Sequence, residues 1–227
     1  MTRRFFYHAF GVGLGGQIRR PFCEAIESQG ATALGTVGGY GSSHVDGYRF
    51  KDIVSVRSAS AYAVGSEAPD GSLNTSITVT VEGLNILDVI TAGTITARLA
   101  SRHAPDAPEP AISAVGTEFR DLRIGGHPVD VEVDGELFFE ERTYTALTQH
   151  VAGKGRRDPW NESKGAVLCS LGKAYSIRVP TVGTVVLGET LVSPYARRLT
   201  MVRVELGSPV AGCLEVGSGE VNGSTYP

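Results

Sequence analysis

Alternation of apolar and polar residues is the feature that most constrains the fold of this chain of 227 residues. Residues 77–81 alternate aliphatic and hydroxyl side chains, residues 129–134 alternate valine with carboxylates, and residues 201–206 repeat the period. A period of two is typical of a strand with one buried and one solvated face. The 25 valines and 18 threonines also favour strands. We therefore predict an all-β fold, mainly antiparallel, with a sandwich or barrel-like architecture.

The turn residues agree with this fold class. Gly125-Gly126 stands between two alternating segments at hairpin spacing, and Asp70-Gly71 and Asn222-Gly223 are dipeptides that tolerate a positive φ. The pattern predicts strands near residues 4–12, 30–37, 48–64, 73–82, 85–100, 116–124, 128–134, 166–171, 175–179, 183–192, 198–207 and 211–217.

One segment departs from the two-residue period. Tyr144, Leu147 and Val151 follow each other at helical spacing, and Thr143 is a suitable N-cap, so one short helix is predicted near 143–152. The polar, glycine-rich residues 153–165 predict an exposed loop. We predict a single β-rich domain over 1–227, and the proline-rich stretch 102–110 is the point at which 1–101 and 111–227 could divide.

Composition and charge exclude several classes of protein. The net charge is −3 and the arginine pairs are spread along the chain, which argues against a nucleic-acid partner. No run of 18 apolar residues is present, so no membrane-spanning helix is expected. Three cysteines without a C-x-x-C spacing argue against a disulfide framework or a zinc knuckle. We expect Cys23, Cys169 and Cys213 to be free, buried thiols in a reducing compartment.

Location follows from the same observations. We expect a cytoplasmic protein, with export to the cell surface as the alternative. The alternative rests on Thr2-Arg3-Arg4-Phe5-Phe6, which loosely resembles the start of a twin-arginine export signal. No small-x-small cleavage site follows it, and the pattern fits a first strand better.

Glycines dominate residues 11–16 (GVGLGG), as they do in phosphate-binding loops. Such a loop must run from a strand into a helix, and residues 17–21 (QIRRP) do not open one. We interpret the segment as part of a strand or bulge where another backbone packs closely, within the fold or against another subunit.

Other patterns that could support chemistry are incomplete. His44 and Asp46 could offer two metal ligands from one strand face, but no third ligand can be assigned. Ser218 lacks the helix of a nucleophile elbow, and Cys23 has no assigned histidine partner. Carboxylates are available at Glu140-Glu141 and, on one face of a predicted strand, at three alternating positions: Asp130, Glu132 and Asp134. We predict no catalytic, cofactor-binding or metal-binding residues and no cofactor; an enzyme is not the favoured reading.

Three blocks of sequence carry a family resemblance. They are residues 83–92 (GLNILDVITA), residues 118–129 (EFRDLRIGGHPV) and residues 179–189 (VPTVGTVVLGE). In order and spacing they resemble segments of the choice-of-anchor P type bacterial proteins, and the whole chain is similar to conserved bacterial proteins of unassigned function. The resemblance implies a β-rich surface or structural module and brings no catalytic residues with it.

The favoured function is a non-enzymatic structural β-protein that self-associates into a homo-oligomeric assembly, as a ring, filament or shell component. Many strands with open edges motivate it, because unpaired edges can pair between subunits. The first alternative is a monomeric ligand- or carbohydrate-binding β-sandwich module that uses the loops around Trp160. The second is an unrecognised hydrolase, which predicts one deep pocket where a histidine and a carboxylate converge.

Overall fold

The fold was obtained as a computed structural model, which describes residues 5–133, 138, 143–153, 169–170, 175–193 and 196–222. Eighteen strands and one helix lie within these ranges. The strands are β1 (Ala9–Arg20), β2 (Glu24–Gln29), β3 (Thr32–Ala33), β4 (Gly39–Asp46), β5 (Arg49–Phe50), β6 (Val54–Ser55), β7 (Ser58–Glu67), β8 (Leu73–Ile86), β9 (Ile90–His103), β10 (Ala111–Ser113), β11 (Glu118–Arg120), β12 (Arg123–Ile124), β13 (His127–Pro128), β14 (Cys169–Ser170), β15 (Tyr175–Val179), β16 (Gly183–Val192), β17 (Ala196–Leu206) and β18 (Ala211–Asn222); the helix is α1 (Tyr144–Gly153).

The strands form two antiparallel sheets. Sheet A has the order β14-β16-β17-β18-β1-β2, with β15 also on β16 and β3 also on β1. Sheet B is built on β4-β7-β8-β9, with β10, β11 and β12 along the far side of β9 and the short β6-β5 pair beside the end of β8. Strands β1 and β18 pack over β7, β8 and β9, so the two sheets face each other as a sandwich. The prediction of an all-β, mainly antiparallel fold is confirmed.

The alternation seen in the sequence sorts the core from the surface. On β8 the side chains of Ile77, Val79 and Val81 are fully buried between the sheets, while Thr78 and Thr80 point outward. Strand β9 continues the pattern with Ile95, Ala97 and Leu99, and one continuous cluster of buried residues joins both sheets. The period of two therefore describes which residues are buried as well as which are extended.

Glycines in β1 allow the sheets to approach closely. A Cβ at Gly11 would lie 2.7 Å from Val79 Cγ2, and one at Gly13 would lie 2.6 Å from the Cβ of Ala59. Neither position has room for a larger side chain. Strand β1 continues to Arg20 without opening a helix, so residues 11–16 are not a phosphate loop. The interpretation of close backbone packing within the fold is confirmed.

The turns predicted at Asp70-Gly71 and Gly125-Gly126 are present, and so is the helix. Gly125 and Gly126 connect β12 to β13 with φ of 59° and 81°, and Gly71 has φ of 78° between β7 and β8. Helix α1 begins one residue later than predicted, and Thr143 caps it by accepting a hydrogen bond of 3.2 Å from the Ala146 amide. Leu147 is fully buried against the sandwich.

Several predicted strand boundaries are wrong. The strand predicted at 4–12 is shifted to Ala9–Arg20, and that at 48–64 is divided into β5, β6 and β7. Strands β2 and β4 were missed. Of the strand predicted at 128–134, only His127–Pro128 pairs, although burial still alternates from Val129 to Val133. These valines cover the core without a ladder partner in the part of the chain that the structure describes, and Asp130 and Glu132 are exposed there.

The stretch 102–110 contains the end of β9 and the connection to β10, both strands of sheet B. The single-domain interpretation stays a prediction. In the described part of the chain, no helix is long and apolar enough to cross a membrane. The loop predicted at 153–165 begins at the last residue of α1 and otherwise lies outside the described residues, as do Asp134, Glu140, Glu141, Trp160 and Gly223.

Candidate functional site

Strand β4 forms one edge of sheet B. All eight of its residues pair with β7, from Gly39 opposite Gly65 to Asp46 opposite Ser58. Among the described strands none pairs with its other side. Half of the backbone N–H and C=O groups of an antiparallel edge strand point away from its partner. Strand β4 therefore presents a row of backbone donors and acceptors to solvent.

The side chains of β4 do little to protect this edge. Its sequence, GYGSSHVD, contains no lysine, arginine or proline, the residues that commonly block edge pairing. Its one acidic residue is Asp46, at the end of the strand, and its carboxylate lies 3.0 Å from His44 Nε2. Tyr40 is 78% exposed. Among the described strands the edge is unpaired, and its first seven residues carry no carboxylate, lysine or arginine.

Strand β2, at an edge of sheet A, is built differently. Its six residues include Glu24 and Glu27, and Ile26 is the one residue of the strand that is buried in the core. Lys51 Nζ lies 2.7 Å from Glu24 Oε1 and 3.2 Å from the centre of the Phe22 ring. Charged side chains therefore shield this edge, as is usual in soluble β-proteins.

The outward side of sheet B is here called the hydroxyl face. It carries the side chains that alternate with the buried core residues on four adjacent strands. Most are short and polar, and two are tyrosines: Tyr40, Ser42 and His44 on β4; Ser58, Ser60, Tyr62, Val64 and Ser66 on β7; Asn74, Ser76, Thr78, Thr80 and Glu82 on β8; and Thr94, Thr96, Arg98, Ala100 and Arg102 on β9.

A shallow depression of about 380 Å³ crosses this face between β7 and β10. Ser76 and Ala100 form its floor because their side chains are short. The surrounding lining includes Val64, Asn74, Arg102 and Ser113. We call this depression the groove.

Charges at the border of the hydroxyl face are paired. Arg102 Nη2 lies 2.6 Å from Asp70 Oδ2, and Arg57 Nη2 lies 3.3 Å from Glu82 Oε2. A hydrogen bond from the Ser72 amide lowers the pKa of Asp70, and one from the Ser58 hydroxyl lowers the pKa of Glu82. Both carboxylates therefore stay ionised at neutral pH and offset the neighbouring guanidinium groups.

Of the residues considered for chemistry in the sequence, those that the structure describes form no reactive centre. Ser218, 3% exposed, accepts a hydrogen bond of 3.0 Å from Arg198 Nε and lies 3.2 Å from the Thr200 hydroxyl. His8 Nε2 contacts Glu220 Oε1 at 2.8 Å, in an exposed position rather than a deep pocket. The described residues contain no group of three His, Cys, Asp or Glu side chains that could hold a metal ion.

The cysteines differ from expectation in burial. Cys23 and Cys213 are free, but Cys23 is exposed and Cys213 is half-buried. Burial raises the pKa of the Cys213 thiol. The side chain of Cys169 lies outside the description.

Comparison with known protein families identifies one family that matches the chain. Residues 5–163 match the family described as a domain of unknown function, DUF8256. The chain belongs to this family. No curated protein matches it, and no solved structure matches it either.

The DUF8256 match contains the candidate features. Strands β1–β13 lie inside it, so the open edge of β4, the hydroxyl face and the groove all belong to the matched region. Strands β14–β18 lie beyond residue 163, although β17 and β18 supply much of the sheet that covers the core. The DUF8256 region therefore carries sheet B, and its core is closed by strands outside the match.

Sequence reasoning did not identify this site. Edge strand β4 has too few apolar residues to show the two-residue period, and the groove depends on the alignment of strands distant in sequence. The sequence signal that was available is the outward run of Ser and Thr on β7, β8 and β9.

Proposed function

We propose that the protein is a non-enzymatic structural β-protein that self-associates, with β4 as the strand that pairs between copies. The observation that carries the proposal is the unblocked edge of β4 next to the charged edge of β2. Antiparallel pairing of two β4 strands would satisfy the free backbone groups of both and join two copies of sheet B. The resemblance of three sequence blocks to choice-of-anchor P type bacterial proteins also supports a structural role.

Symmetry gives this proposal a specific geometry. If two copies pair along β4, the two-fold axis passes at a residue that lies opposite its own copy, and the central candidates are Ser42 and Ser43 of Gly39–Asp46. Such a contact uses the same surface on both copies and closes a dimer. Growth to a ring, filament or shell needs a second, different contact.

Mass measurement tests the proposal directly. Light scattering after size exclusion, at high micromolar concentration, should give at least twice the chain mass of 23.9 kDa. A monomer under these conditions would overturn the proposal.

Two proline variants locate the contact. Successive N–H groups of a strand point to opposite sides, so Ser42→Pro and Ser43→Pro remove one free N–H and one N–H bonded to β7. The variant with the smaller loss of thermal stability is the one that changes only the free edge, and it should lose self-association. An unchanged mass for that variant would exclude β4 as the contact.

We also propose a cytoplasmic location. The exposed free thiol of Cys23 supports it, since exposed thiols persist in reducing compartments. Measuring the protein in cell fractions tests it, and recovery from the cell surface would contradict it.

A further inference from the structure

The groove has a defined direction on the hydroxyl face. Strand pairing places Tyr40 opposite Val64, Val64 opposite Ser76, Ser76 opposite Ala100 and Ala100 opposite Ser113. The groove spans β7 to β10, about 14 Å at the usual strand spacing of about 4.8 Å, and Tyr40 extends the row by one strand beyond it. The groove therefore suits an extended chain that crosses the strands.

A second row lies next to the groove on the hydroxyl face, outside the residues that line the depression. It contains Ser42, Tyr62, Thr78 and Arg98, each opposite the next. Tyr62 is 52% exposed and stands two residues from Val64 on the same face. Tyr40 and Tyr62 are diagonal neighbours across β4 and β7, about 7–8 Å apart. Two exposed aromatic rings thus border one end of the groove.

The polar groups beside these rings are available to a ligand. No hydrogen bond within the described chain engages the side chains of Asn74, Ser76, Thr78 or Ser113, whereas the hydroxyls of Ser218 and Thr200 on sheet A are bonded to protein groups. Each free hydroxyl can both donate and accept, and Asn74 adds an amide. The groove therefore offers closely spaced donors and acceptors on a rigid sheet.

The electrostatics of the face argue for an uncharged ligand. Arg102, Arg57 and Arg120 each lie within 3.3 Å of a carboxylate oxygen. Arg98 has no ion pair among the described residues and contributes one positive charge to the face. The chain carries a net charge of −3, which does not attract a polyanion. The floor residues are too short to bury the apolar area of a protein partner. Aromatic rings beside neutral hydroxyls and an amide match sugars, which present apolar ring faces and polar edges.

We propose that the groove binds a linear, uncharged polysaccharide that lies across β4, β7, β8, β9 and β10, with one sugar ring stacked on Tyr62. The aromatic ring supplies apolar contact, and the hydroxyls and Asn74 bind the sugar hydroxyls. The site lies on a face of the sheet and not on its edge. It therefore goes beyond self-association and does not depend on it.

Affinity electrophoresis tests the proposal. The intact protein, with an isoelectric point of about 6.0, is run at pH 8 through native gels containing soluble β-glucan, xylan, mannan, galactan or α-glucan. Retardation by at least one of these polymers is expected. Migration that no neutral polymer slows, or that only the acidic polymer polygalacturonate slows, overturns the proposal.

Variants connect any binding to the groove. Tyr62→Ala should weaken binding about tenfold, and Tyr62→Trp should preserve it, because stacking needs an aromatic ring. Ser76→Arg should abolish binding by filling the floor while leaving Tyr62 in place. Tyr175→Ala is the matched control, because Tyr175 is a 38% exposed tyrosine on β15 of sheet A. Equal effects of Tyr62→Ala and Tyr175→Ala would contradict the assignment.

The two proposals fail separately. Tyr62→Ala should keep the mass of the parent protein in light scattering, since Tyr62 lies on β7 inside the sheet. Dilution to a concentration at which light scattering gives the monomer mass should leave the retardation by polysaccharide unchanged. A loss of retardation in the monomer would show that the sugar site requires two copies and would overturn its independence.

Discussion

The outer faces of the two sheets differ in whether their polar side chains bond to other protein groups. On sheet A, Arg203 binds Glu189 through two contacts of 2.9 Å and also contacts Glu205, while Arg198 contacts Glu215. On sheet B, Ser58 bonds to Glu82, but the hydroxyls of Ser76 and Thr78 have no protein partner among the described residues. A polar face that bonds to itself contributes to stability, and one that leaves its groups open is available for binding.

Removing Arg203 should show the largest difference between the faces. Arg203 and Glu189 are 24% and 15% exposed, and their hydrogen bonds raise the pKa of Arg203. Arg203→Ala leaves Glu189 half-desolvated and unpaired, so the free energy of unfolding should fall by about 2 kcal/mol. Urea denaturation measures it.

The control for this variant lies at the border of the hydroxyl face. Arg57 and Glu82 form an ion pair that is 70% and 41% exposed. Arg57→Ala should change the free energy of unfolding by no more than about 0.5 kcal/mol. Equal losses in the two variants would remove the distinction between the faces.

Serines give a smaller version of the same comparison. Ser218 is bonded to Arg198 and Thr200, so Ser218→Ala should cost about 1 kcal/mol of unfolding free energy. Ser76 has no such bonds, and Ser76→Ala should stay within about 0.5 kcal/mol of the parent. Thermal and urea denaturation at one pH provide both values. A larger loss for Ser76→Ala would mean that the hydroxyl face has unrecognised internal bonding.

The smallest effect concerns pH. The hydrogen bond between His8 and Glu220 raises the pKa of His8 above 6.5 and lowers that of Glu220 below 4.5. The contribution of His8 is complete below pH 6.5 and is lost as pH rises through its raised pKa. The contribution of Glu220 is complete above pH 4.5 and is lost as pH falls through its lowered pKa.

Stability from this pair is therefore greatest between pH 4.5 and 6.5. Because His8 is 49% exposed, the gain should be about 0.5 kcal/mol. His8→Gln and Glu220→Gln should each flatten the same part of the curve of unfolding free energy against pH. Different curves for the two variants would show that the partners act separately.

The sequence predicts the core strands well because burial on both sides of the sandwich repeats the two-residue period. The ranges predicted for β15 and β16 match the structure exactly as Tyr175–Val179 and Gly183–Val192. Strand β4 was not predicted, because an exposed edge strand needs few apolar residues and shows no clear two-residue period. Residues 129–133 show the converse, since they alternate perfectly but pair with none of the described strands. Strand pairing depends on segments that are distant in the sequence, so the pattern within one segment does not show it.

The family-like blocks teach a related lesson. Residues 83–92 form the tip of the β8–β9 hairpin, where Leu87 and Asp88 have positive φ and Asn85 bonds to Asp88 at 2.6 Å. Residues 118–129 contain the turn at Gly125, and residues 179–189 contain the turn before β16. All three blocks therefore describe turns of the backbone. The candidate site lies outside these blocks, on strand faces whose side chains follow no comparable motif.

The pairing of β1 with β18 has a consequence for how the protein is made. His8 and Glu220, at the end of this pair, are 212 positions apart in the sequence. Strands β4–β13 are contiguous in the chain and form sheet B, so this sheet can assemble on the ribosome first. Strand β1 is synthesised before sheet B, but its partner strand β18 is synthesised last. During translation, the inner side of sheet B is an apolar surface awaiting its cover, and chaperones that bind such surfaces should engage the nascent chain at this stage.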